Sequence, residues 1–78
     1  MVWLWLGSQQ EMANLMKLLL NAEAFADDAE RNMTGEQRAK VDEQASIVTK
    51  LHELMPDHKE RVHKLIGRYT ILQSNWTN

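Results

Sequence analysis

Apolar residues recur along this chain in three runs, spaced three or four apart, as on a helix with one buried face. The first run, Met12, Leu15, Leu19, Ala22, Ala26, Ala29 and Met33, has no gap and forms the a/d seam that packs against a neighbouring helix. Met16, Leu18 and Phe25 widen it, which predicts contact with more than one partner helix. The seam changes midway from Met and Leu to Ala22, Ala26 and Ala29, where a second backbone has room to come close. The second run is Val41, Ala45, Val48, Leu51 and Met55, flanked by Ile47 and Leu54, after two turns that are almost wholly polar. The third is Val62, Leu65, Tyr69, Leu72 and Trp76, with Ile66 beside it.

Each run opens on a helix-start pattern. Ser8-Gln9-Gln10-Glu11, Thr34-Gly35-Glu36-Gln37 and Asp57-His58-Lys59-Glu60 match or mimic the capping box. There a small oxygen side chain accepts an orphan backbone N–H while an acidic or amide side chain reaches back. Pro56 disfavours helical geometry at Met55 and marks a break. These signals predict helices over about residues 9–32, 35–55 and 58–74. The link Asn32-Met33-Thr34-Gly35 is short enough to fold the first two into an antiparallel hairpin. The expected fold is all-α: a long antiparallel helical hairpin plus a third helix, a three-helix bundle in one domain over residues 1–78. By its rise the first helix would be about 36 Å long.

Size alters that picture. A chain of 78 residues hides only about 60% of the surface its unfolded form exposes, so its core is marginal on its own. With no cysteine, disulfides and thiolate metal sites are both excluded. What remains is close helix packing completed by self-association, most simply as a twofold homodimer. The lack of cysteine also fits a reducing, cytoplasmic setting.

The N-terminal segment, residues 1–7, holds six consecutive apolar residues before Gly7. A bilayer span needs about 20, and the basic flank and cleavage site of a signal peptide are missing. Trp3 and Trp5 lie here and Trp76 at the other end, and tryptophan is enriched at binding hot spots. Three readings follow. The segment folds back over the open end of the bundle, against Trp76; or it docks on another chain, as an added strand or helical turn; or it sits in a membrane interface. No basic flank supports the last.

Candidate chemistry is sparse. His52-Glu53 begins like a zincin helix, but Pro56 stands where the second histidine belongs. His58 and His63 do not share a helix face, so the three histidines read as scattered surface residues. Ser8, Ser46 and Ser74 lie in no nucleophile elbow, and three isolated glycines build no phosphate-binding loop. Asp27, Asp28 and Glu30 read as a solvated face. The expectation is therefore a non-enzymatic protein-interaction module without cofactor, homo-oligomeric, serving as a small adaptor or as an inhibitor that occludes a larger protein partner. The contact residues expected are Trp3, Trp5, Leu6, Tyr69 and Trp76. The competing reading is a small nucleic-acid-associated regulator using Arg61, Lys64 and Arg68, which fall at steps of three and four with Lys59 nearby. Asp57 and Glu60 dilute that stripe, and nine basic against eleven acidic residues, a net charge of −2, leave no electrostatic footprint for nucleic acid.

Overall fold

The computed structural model describes the backbone of residues 2–77 and the side chains of residues 9–75. Among them lie three α-helices, α1 (Val2–Arg31), α2 (Gly35–Leu54) and α3 (Lys59–Thr77), with a 3-10 turn at Pro56–His58 before the last. The chain is an all-α three-helix bundle, as the apolar periodicity predicts.

The Thr34 signal works as expected. Gln37 N–H donates to Thr34 Oγ1 at 3.1 Å, and the Thr34 N–H donates to Gln37 Oε1 at 2.9 Å. Two orphan donors are thus satisfied reciprocally, and the chain turns back sharply into α2. Pro56 also acts as expected: α2 stops at Leu54, and Pro56 opens the 3-10 turn.

The other two signals do not set helix starts. Ser8 lies inside α1, which begins at Val2. Extending an existing helix fixes one residue per hydrogen bond gained, whereas a new start must pay for nucleation. Gly7 costs only about 1 kcal/mol relative to alanine, so it does not interrupt a helix with strong formers on its inner side. At α3 no capping bond forms on Asp57; His58 N–H instead donates to the Met55 carbonyl at 3.0 Å. With proline present, the tight turn itself supplies the helix entry.

Among the described residues thirteen apolar side chains are buried: Leu15, Leu19, Ala22, Ala26 and Ala29 of α1, Val41, Val48 and Leu51 of α2, Met55, and Val62, Leu65, Tyr69 and Leu72 of α3. All belong to the three predicted seams. Ala45 and Met33 are half-buried at the margin, and Trp76 lies outside the described side chains. Met12 breaks the pattern and is exposed, for the reason that makes α1 unusual.

At 1.5 Å per residue α1 is about 45 Å long, against about 30 Å for α2 and α3; the molecule's long axis is 52 Å. The tight Thr34 turn aligns the C-terminal end of α1 with the start of α2. α2 therefore runs out about ten residues before α1 reaches its own beginning. Every side chain from Gln9 to Asn14 is exposed, and Leu15 is the first buried residue of α1. From Gln9 to Asn14 α1 is an arm standing clear of the bundle, and its backbone continues as helix to Val2.

Gly67 lies in mid-α3 at negative φ, where an added Cβ would meet nothing within 4 Å. Gly67→Ala is expected to raise stability by about 0.5–1 kcal/mol, by removing backbone freedom from the unfolded chain. Urea unfolding of the two proteins checks it; a lower midpoint for the alanine variant would contradict the open setting.

Candidate interaction surface

Tyr69 organises the centre of the bundle. Its side chain is 1% exposed, and its hydroxyl donates to the Ala22 carbonyl of α1 at 2.6 Å. Ala22 and Ala26 carry no bulk in that plane, so the phenol reaches the α1 backbone. The Phe25 ring lies beside it, with centroids 6.4 Å apart and planes within 6°. The alanine stretch thus makes room for a ring. Tyr69 is accordingly unavailable to a partner, contrary to the sequence expectation. It occupies a seam position, and its polar end is satisfied inside the molecule.

Two charged stripes flank this contact. Arg61 Nε and Nη2 donate to Glu23 at 2.8 and 2.7 Å. Arg68 donates to Glu30 at 2.9 and 2.7 Å and also to Asp27. The pairs Glu23–Arg61 and Glu30–Arg68 have the same sequence separation, 38, so α1 and α3 run parallel. Glu23, Asp27 and Glu30 thus form surface ion pairs to α3, while Asp28 bonds only to Arg31 of its own helix and stays on the solvated face. Two members of the basic stripe, Arg61 and Arg68, are already committed to carboxylates and only Lys64 faces solvent without one, which weakens the nucleic-acid reading.

These contacts set the titration behaviour. The hydrogen bond from Arg68 holds the Glu30 carboxyl below its ordinary value, against a smaller opposing effect of desolvation. The bonds to Glu23 and Glu30 hold the Arg61 and Arg68 guanidinium groups more firmly protonated. Burial pushes the Tyr69 phenol up to about 12. A carboxyl lowered on folding contributes stability at neutral pH that is lost on acidification. For a pair this exposed the loss should stay below about 1 kcal/mol. A phenol raised on folding contributes stability that is complete below about pH 10 and lost as pH rises towards 12. Alkaline destabilisation on the order of 2 kcal/mol is expected. Tyr69 is the only tyrosine, so phenolate absorbance reports it alone. A titration at the ordinary value, or the same alkaline loss in Tyr69→Phe, would contradict the buried bond.

The remaining predicted contact residues lie at two opposite ends. The backbone places Trp3, Trp5 and Leu6 in the first turns of α1, and Trp76 in the last turn of α3; their side chains lie outside the described residues. Because α1 and α3 are parallel, the two ends are far apart. The N-terminal segment does not fold back towards Trp76, and it is helix rather than strand, since it continues α1 without a break.

Exposed large apolar side chains concentrate around the arm. Among the described residues they are Met12 (41%), Leu18 (40%), Leu20 (50%), Leu54 (48%) and Ile71 (60%). Met12, Leu18 and Leu20 lie in the N-terminal two-thirds of α1, and Leu54 ends α2 at the same end of the bundle; Ile71 stands apart. Among the described residues, the depressions lined by Asp42, Ala45 and Gln73, by Pro56 and His58, and by Glu60 and His63 are open to solvent. Among the described residues no group of three His, Cys, Asp or Glu side chains is arranged to hold a metal, and no helix is long and apolar enough to cross a membrane.

One juxtaposition escaped the sequence reading. His52 of α2 and His63 of α3 face each other, with ring centroids 6.2 Å apart. A bond from Gln73 to Asp42 at 2.9 Å is centred on the same point between Asp57 and His58. The register of the α2–α3 hairpin about its turn was the signal that would have found this pair. Compared with known proteins, the chain matches no protein family, no curated protein and no solved structure, so its own residues carry the functional reading.

Proposed function

We propose that this chain is a non-enzymatic protein-interaction module that works through the free arm of α1 and pairs first with a second copy of itself. The observation that carries the reading is the exposure of every residue from Gln9 to Asn14 on a helix that outruns both of its neighbours. An isolated helical segment this short is marginal in water, so the arm gains most by packing against another helix. Its sequence begins with Val2-Trp3-Leu4-Trp5-Leu6, and the exposed Met12, Leu18, Leu20 and Leu54 surround its base. Two copies related by a twofold axis let each arm meet the same surface on the other, which closes the assembly at two. An adaptor or inhibitor role towards a larger protein would use the same arm.

Chemical crosslinking of the intact chain beside the paired variant Trp3→Ala, Trp5→Ala tests this reading. A dimer product that the variant loses supports it. An unchanged product, or none for the intact chain, contradicts it.

A further inference from the structure

His52 and His63 stand on adjacent antiparallel helices near the closed end of the α2–α3 hairpin. We propose that they form a two-histidine clamp for a divalent transition-metal ion, with Zn2+, Ni2+ or Cu2+ bridging α2 and α3. Imidazole is the commonest protein ligand for such ions. With each nitrogen about 2.0–2.1 Å from a shared ion, two ring centroids lie roughly 5–6.4 Å apart, according to the angle at the metal. The observed separation is 6.2 Å, with the planes inclined at 51°. The pair lies at the wide end of that range, so binding requires the two side chains to rotate until one nitrogen of each reaches a shared ion. The site is open: His52 is half-buried and His63 exposed, so an ion has direct access and water completes its coordination.

The ligand set also determines which ions are taken. Two neutral nitrogen donors suit borderline cations and give little to Mg2+ or Ca2+, which prefer oxygen. No third His, Cys, Asp or Glu among the described residues completes the set, so binding is that of a two-point clamp, weaker than a structural zinc site. Glu60, one turn before His63, lines a surface depression with it, beside Arg61 and Lys64, and offers a carboxylate for a metal-bound water, the usual outer-shell role. His58 takes no part. It belongs to the 3-10 turn, and its Nδ1 is buried without a hydrogen-bond partner. An ion held across two helices binds the folded chain and not the unfolded one, so it raises the melting temperature.

The test uses the full chain, without an affinity tag and freed of metal. ZnCl2 is titrated by calorimetry and in thermal melts, with MgCl2 as control. One Zn2+ per chain and a rise in melting temperature are expected. His52→Gln and His63→Gln should each lower affinity by at least about tenfold and remove the rise, while His58→Gln keeps both. Circular dichroism establishes that each variant is folded. No saturable binding up to about 1 mM Zn2+, binding unaltered in His52→Gln or His63→Gln, an equal response to Mg2+, or one ion per two chains would each overturn the clamp.

Discussion

Tyr69→Ala is expected to lower stability by about 3–5 kcal/mol, the usual cost of deleting a buried aromatic ring. A domain of this length has about 4–12 kcal/mol in total, so the variant should be largely unfolded or have a sharply reduced urea midpoint. The side chain is 1% exposed and bridges α3 to the backbone of α1. Ala22 and Ala26 beneath the ring are already minimal side chains, so collapse into the vacated space from that side is limited. Tyr69→Phe separates the ring from the hydroxyl. It keeps the packing and loses one hydrogen bond, at about 0.5–1.5 kcal/mol. The Ala22 carbonyl remains within the helical ladder, so no acceptor is orphaned. Circular dichroism across a urea series reads both variants. A loss below about 1 kcal/mol for Tyr69→Ala would mean that α1 is not held at this point.

The second large effect concerns association. If Trp3 and Trp5 anchor the contact between copies, each should act as a hot spot worth at least about 2 kcal/mol, or roughly thirtyfold in Kd. The paired variant should then be monomeric wherever the intact chain is dimeric. Its monomer stability should change by less than about 0.5 kcal/mol, because the stretch Gln9–Asn14 between the tryptophans and the core is exposed throughout. That combination, association lost with the fold intact, separates an interaction arm from a core element. Sedimentation velocity for association and urea unfolding at low protein concentration for stability measure the two halves independently. A variant that loses stability and keeps its oligomeric state would place the tryptophans within the bundle instead.

Much of this fold was legible in the residues. The step of three and four selected the buried positions from Leu15 to Leu72, because a helix that must bury one stripe has few other arrangements. Thr34 and Pro56 set the turns, because each acts through chemistry local to the chain. Ser8 misled, because a serine before polar residues suits a cap and a helix interior almost equally well. The choice rests on whether helix already stands on both sides. Met12 misled for a related reason: the seam continues along α1 beyond the point where α2 ends, and relative helix length is a property of the assembled bundle.

The site was less legible. The Tyr69 hydroxyl needed a partner that only packing could name. Glu23 and Glu30 on α1 have the same spacing as Arg61 and Arg68 on α3, yet the match becomes visible only once the two helices are known to be parallel. His52 and His63 pair through hairpin register, a relation between helices that no motif within a single helix contains. The N-terminal tryptophans were conspicuous by composition, and the backbone adds that they belong to a helix continuing past the core.

The most direct measurement of the central claim is the molar mass of the intact chain by light scattering across a wide concentration series. Pairing through the arm of α1 predicts a mass approaching twice 9.1 kDa at high concentration and falling towards the single-chain value on dilution. A mass of 9.1 kDa at every concentration would contradict it.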